Sequence, residues 1–321
     1  MKIKKILLTS TIFLFIIYLA YLLNNEKFSN IKAKAYITNQ GNNTVSVIDL
    51  HKLKNFKTLQ VGTAPLGITI LKQHNLGFIG NVGSENISVI DTNKDEIIQT
   101  IKLNTAPLSL TSSPDESRVF VTDWFKNKII IISVKELSVI NSFTVGKTPS
   151  GITFNKKLNY LIVTNRDENT IEIYNGDTYQ LINKLATGEH PFGVYTEDKF
   201  AYTANVYDDT ITIINLENWS TKTIKVGAHP YNVMTHKHLS FVTNTQGDSL
   251  SVINLHTNKE LKKISTGETP ENLDIHQKLN LLVVTNWGSD SINVYDLRNL
   301  KLLKEISTGS QSRAFGKFIL Q

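Results

Sequence analysis

The chain has 321 residues, 40% of them hydrophobic, which is enough to bury a substantial core and excludes a disordered polymer. Its formal charge of +6 owes three positives to Lys2, Lys4 and Lys5; without them 31 basic residues face 28 acidic ones, too even a balance to indicate a nucleic-acid partner. There is no cysteine, so disulfide frameworks, thiol catalysis and Cys-ligated metal sites are excluded.

Residues 1–5 (MKIKK) form a basic tail, and the run 6–23 (ILLTSTIFLFIIYLAYLL) carries no charge. As a helix these 18 residues would extend about 27 Å at ~1.5 Å per residue, near the hydrocarbon thickness of a bilayer. The run is long for a signal-peptide core and no small-x-small cleavage site follows it, so the reading is an uncleaved signal anchor. The lysines then stay cytoplasmic, and a linker (24–34) leads to an exported domain (35–321); secretion after cleavage is the alternative.

From residue 35 the chain repeats. Proline closes VGTAP (61–65), LNTAP (103–107), VGKTP (145–149), TGEHP (187–191), VGAHP (226–230) and TGETP (266–270), and a seventh copy, TGSQS (308–312), has Ser312 in its place. A second marker keeps step: YITN (36–39), FIGN (78–81), FVTD (120–123), IVTN (162–165), YTAN (202–205), FVTN (241–244) and VVTN (283–286). Four residues after each marker comes a turn former, Asn43, Asn127, Asn169, Asp209, Asp248 or Asp290, with Glu85 as the exception. Such residues tolerate left-handed backbone and predict a tight strand-to-strand turn. Alternating segments such as VSVID (45–49) and ITIIN (211–215) follow, with the two-residue period of a strand.

Four strands in each unit of about 40 residues, seven times over, predict an all-β, seven-bladed β-propeller behind one N-terminal membrane helix. The first repeat lacks the strand that follows proline elsewhere, and the chain ends in one spare strand of that kind, 314–320. Pairing of the two termini is therefore expected to close the ring and remove an open edge. Small residues two positions after proline, such as Gly67, Ser109, Gly151 and Gly193, are read as a response to crowding at the axis.

The markers YITN, FVTN, IVTN and VVTN with their TGxTP-type turns resemble the YVTN-family propeller repeat over 35–321. The resemblance implies an extracytoplasmic or surface binding module; relatives on similar rings include quinoprotein-type dehydrogenase subunits, lactonase-like and lyase-like enzymes and a single-stranded-DNA binder. A shared fold does not transfer activity, so a site must be sought in the residues.

The proline loops and the loops after each marker should emerge on one face. They would gather Trp124, Arg166, His190, Tyr207, His229, Tyr231, Trp287 and Arg313, aromatic and cationic groups at positions where the repeats diverge, and this is the expected ligand surface. His190 and His229 occupy the same slot before proline in adjacent repeats, but no third ligand comes from that ring of positions, so no metal is expected. His236 and His238 are read as a solvated turn on the opposite face. No GxSxG, HExxH or EF-hand pattern occurs, and GKT at 146–148 lacks the earlier glycine of a P-loop. The expected function is non-catalytic binding of a protein, glycan or small ligand, without a cofactor. The alternatives are an oxidoreductase-like or lactonase- or lyase-like propeller enzyme, or a binder of single-stranded nucleic acid stacking on Trp124 and Trp287.

Overall fold

The computed structural model describes residues 33–321. The basic tail, the apolar run 6–23 and most of the linker lie outside the described residues. The rest forms seven antiparallel sheets: six of four strands, and one in which Lys34–Asn39, Thr44–Asp49 and Lys54–Gln60 are joined by the C-terminal strands Ser312–Arg313 and Ile319–Leu320. Blade 1 therefore comprises 34–60 and the C-terminus, and blades 2 to 7 span 65–102, 107–144, 149–186, 191–225, 230–265 and 270–307.

Within blades 2 to 7, strand order in space follows strand order in the chain, with the strand that begins at proline innermost, and in blade 1 the C-terminal strands take that place. Apolar residues on both faces of the middle strands fill the space between neighbouring blades. Phe241, Leu250 and Val252 of blade 6, for instance, pack with Leu273, Ile275, Leu282 and Val284 of blade 7. Outer strands such as Lys259–Ser265 are largely exposed, which is why they read as polar.

The repeat markers have separate physical tasks. The terminal Asn of the second strand is fully buried and bridges to the next strand: Asn205 Nδ2 donates to Thr210 and Thr212, both at 2.9 Å, and Asn244 to Ser249 at 3.1 Å and Ser251 at 2.9 Å. The Thr before it ties adjacent blades. Thr38 donates to the Leu66 carbonyl at 2.9 Å, Thr164 to that of Phe192 at 2.7 Å and Thr243 to that of Glu271 at 3.0 Å.

All seven predicted turn positions, Glu85 included, have positive φ. Six of them also clasp the proline loop leading to the next blade: the side-chain oxygens of Asn43, Asn127 and Asn169 accept the N–H groups of Ala64, Thr148 and His190, each at 2.9 Å. Asp209, Asp248 and Asp290 do the same for His229, Thr269 and Gln311. Each clasped residue is held in the left-handed region, with φ between 51° and 58°. Glu85 makes no such clasp, and its loop differs: Ala106 is not left-handed, and Asn104, standing where the other six copies have glycine, takes φ 57° instead. One extra methylene in the turn residue thus accompanies a rebuilt loop.

The ring closes as expected but by a broken strand. Arg313 and Ser312 pair with Thr38 and Asn39, and Leu320 and Ile319 pair with Lys34 and Ala35, three residues out of step with the first register. The intervening segment crosses to blade 2, where Ile68 N–H donates to Phe315 O at 3.0 Å and Ile70 N–H to Lys317 O at 2.9 Å. Gly316 runs at φ 130°, and a Cβ there would meet Ile68 O at 2.1 Å. Crowding at the axis is equally plain at Gly67, where a Cβ would come within 2.2 Å of Leu108 O.

Candidate functional site

The proline loops and the loops after each marker do share one face, because the clasps above join them directly. Two concentric rings follow from the repeat. Residues after proline, or after Ser312, surround the axis: Leu66, Leu108, Ser150, Phe192, Tyr231, Glu271 and Arg313. Residues after the marker stand outside them, with backbone N–H groups bonded to the carbonyl before proline, as in Trp287 to Thr269 at 2.9 Å and Arg166 to Thr148 at 3.1 Å.

The axial mouth on this face is filled by side chains. Leu66, Leu108, Phe192 and Phe315 are buried there. Tyr231 stacks on Phe192 with ring centroids 4.0 Å apart, and Phe315 meets Phe192 edge-on at 5.3 Å. One arc is polar: Arg313 Nη1 lies 3.0 Å from Glu271 Oε2, with both side chains largely buried. Burial pushes the Glu271 carboxyl up to about 7, against the opposing pull of Arg313. Burial also raises the Tyr231 phenol, reinforced by Glu271 and countered by Arg313 and Arg166. The Arg313 guanidinium sits 5.5 Å from the Trp287 ring and 5.6 Å from Phe315, while Arg166 lies 5.5 Å from Trp124.

Of the eight residues expected on the ligand surface, Trp124, Arg166, Tyr231, Trp287 and Arg313 cap or border this central cluster. His190, Tyr207 and His229 form a separate group at the rim. The Tyr207 ring lies 4.2 Å from that of His190 and 5.6 Å from that of His229, so it stands between the imidazoles. Both histidines have φ 52°, a conformation in which His is enriched over most residues, and this explains the shared slot in backbone terms. Among the described residues no group of three or more His, Asp or Glu is arranged to hold a metal ion.

Sequence reasoning did not identify Glu271 as the partner of Arg313, nor Phe315 as the centre of the cluster. Aligning the positions after proline would have found the first. The second depends on the broken strand, which has no repeat equivalent. His236 ends the strand Pro230–His236 and is partly buried rather than part of a free turn, and His238 stacks on His256 at 5.7 Å.

The face has a further property that the net charge conceals. Its fourteen four-residue loops carry nine acidic residues against three basic ones, a net of −6. Eight of the acids lie in the loops of one arc, from Asp167 to Asp290, where Arg166 is the only basic loop residue, while Lys184 pairs with Glu168 from the adjoining strand and Arg313 stands inside the arc. Asp208, Glu189, Asp248, Glu268 and Asp290 are exposed, and so is Tyr207 at 52%. Phe125, at 75%, stands outside the arc on the same face.

No protein-family model matches the chain, and no curated protein matches it in sequence. Solved structures do match its fold, and they define the class as a seven-bladed β-propeller. A hydrazine synthase chain from Kuenenia stuttgartiensis superposes with a TM-score of 0.76 at 13% identity, covering 81% of this chain and 91% of that one. A functionally unknown protein from Desulfotomaculum acetoxidans gives 0.75 at 12% identity, covering 86% and 97%. The dihydro-heme d1 dehydrogenase NirN in complex with DHE gives 0.69 at 13%, covering 87% and 74%. At these identities the likeness is one of fold alone.

Proposed function

We propose that this chain is a membrane-anchored, extracytoplasmic propeller with YVTN-type repeats that binds a cationic segment of a protein partner on its loop face without catalysing a reaction. The observation that carries the reading is the acidic arc from Asp167 to Asp290 with the exposed Tyr207 ring at its centre. Carboxylates held on rigid turns attract a basic partner, and an exposed aromatic flanked by His190 and His229 offers it a contact surface. The same carboxylates oppose a phosphate backbone, which weighs against nucleic acid. The filled axial mouth directs a partner on this side to the rim. The anchor rests on the uncharged run 6–23 behind its basic tail.

Equilibrium binding of an oligolysine peptide to the full chain in detergent tests the reading, with oligoglutamate as control. Saturable oligolysine binding is expected, weakened by salt and by about tenfold in a Glu189→Lys, Asp208→Lys variant. Absence of binding, or equal binding of oligoglutamate, would overturn it.

A further inference from the structure

The C-terminal segment crosses the axis on the side of blade 2, leaving the other side open. There a cavity of about 140 Å³ remains, walled by the inner strands of blades 3 to 7. It is blind. Ser150, Phe192 and Phe315 close it on the loop face, at 0%, 4% and 3% exposure, whereas partly exposed Thr196 and Met234 and exposed Lys317 mark its opening on the opposite face.

Its lining mixes polar and apolar groups. Ser109, Thr111 and Thr153 lie on adjacent inner strands, and while their backbone groups are bonded, as in Ser109 N–H to Thr122 Oγ1 at 2.9 Å, none of their three side-chain hydroxyls has a hydrogen-bond partner among the described residues. Ser109 and Thr111 are nevertheless buried, so their hydrogen-bonding capacity is directed into the cavity rather than to bulk solvent. Val194, Met234 and Leu273 line the rest of the wall with Phe154 and Tyr195, and so do Asn232 and Asn272, whose amides bond to each other and to the Ala314 carbonyl. Lys317 is the one charged lining residue and lies at the opening. The Asp274 carboxylate, on the inner strand of blade 7, is taken up by the N–H groups of Ile275, Phe318 and Ile319.

The geometry points to an axial binding pocket for a small, uncharged, hydroxyl-bearing molecule of polyol or monosaccharide size, entering from the face opposite the proline loops. A charged ligand would shed its hydration with no counter-charge at depth. A neutral polyol meets unpartnered hydroxyls on blades 3 and 4, and apolar and aromatic residues interspersed with the Asn232 and Asn272 amides around the rest of the wall. The space exceeds the ~10–15 Å³ that one water needs and falls short of the ~300 Å³ at which drug-sized pockets begin.

Isothermal titration of the full chain with D-glucose and ribitol, and with D-gluconate as charged control, tests this. Saturable binding of a neutral probe is expected, about tenfold weaker in a Thr111→Val, Thr153→Val variant with an unchanged thermal midpoint. The pocket assignment falls if neither neutral probe saturates, if the double variant binds equally well, or if gluconate is preferred. Should the double variant unfold, Ser109→Ala, which removes one of the cavity hydroxyls and should weaken binding several-fold, and the gluconate arm still decide. Tyr207→Ala, which alters only the loop face, should leave polyol binding intact, so the two binding readings fail separately.

Discussion

The Asp274 carboxylate accepts the backbone N–H of Phe318 at 3.0 Å, and through this contact the last full blade holds the strand that closes the ring. The same oxygen accepts Ile319 N–H at 3.0 Å. Asp274→Ala leaves both amides without an acceptor in a buried site, and a loss of about 2 kcal/mol is expected. Hydrogen exchange should quicken first at Phe318 and Ile319, before the inner strands of blades 3 to 5. Asp274→Asn, which keeps an acceptor oxygen, should be milder.

Glu271 makes stability depend on pH in the direction opposite to an exposed ion pair. Burial raises its carboxyl from 4.5 to about 7, so the folded state holds the proton more tightly than the unfolded chain does. Its contribution is complete below about pH 4.5 and lost as pH rises through about 7. Relative to Glu271→Gln, the natural protein should lose on the order of 3 kcal/mol between pH 4 and pH 8 in urea titrations. His276, lowered to about 4 by burial, works with the opposite sign between about pH 4 and 6.5, but it is common to both proteins and cancels in the difference.

The clasps between turns and proline loops are open to direct comparison. Asp209→Ala frees the His229 N–H and should cost about 1 kcal/mol, read as a lower thermal midpoint. Glu85→Ala, at the same repeat position but with no clasp to lose, should change stability by less than about 0.5 kcal/mol.

Gly151 tests the crowding at the axis. A Cβ there would lie 2.3 Å from the Phe192 carbonyl oxygen, a backbone atom that cannot swing away. Gly151→Ala should therefore destabilise by about 1–3 kcal/mol through overpacking, measured by urea unfolding. Any helix- or strand-propensity gain from alanine is smaller than this.

The blade count, the strand order and the common face of the proline and marker loops were legible in the sequence, because each repeat carries the same hydrogen-bonding residues at the same spacing. Asn205 must bridge to Thr210 and Thr212, and Asp209 must clasp His229, in every comparable unit, so local chemistry imposes the repeat. Even the exception, Glu85 with Asn104, was visible as a departure from pattern, although its consequence for Ala106 was not. What only the tertiary structure decided arises where the ring is not periodic. The three-residue slip between Arg313 and Ile319 carries Phe315 into the mouth and Gly316 across to blade 2, since closure joins strands from opposite ends of the chain. That crossing converts an axial channel into a blind cavity, and seven-fold arrangement gathers carboxylates scattered over more than a hundred residues into one acidic arc. Both depend on contacts between residues far apart in sequence, which no local pattern records.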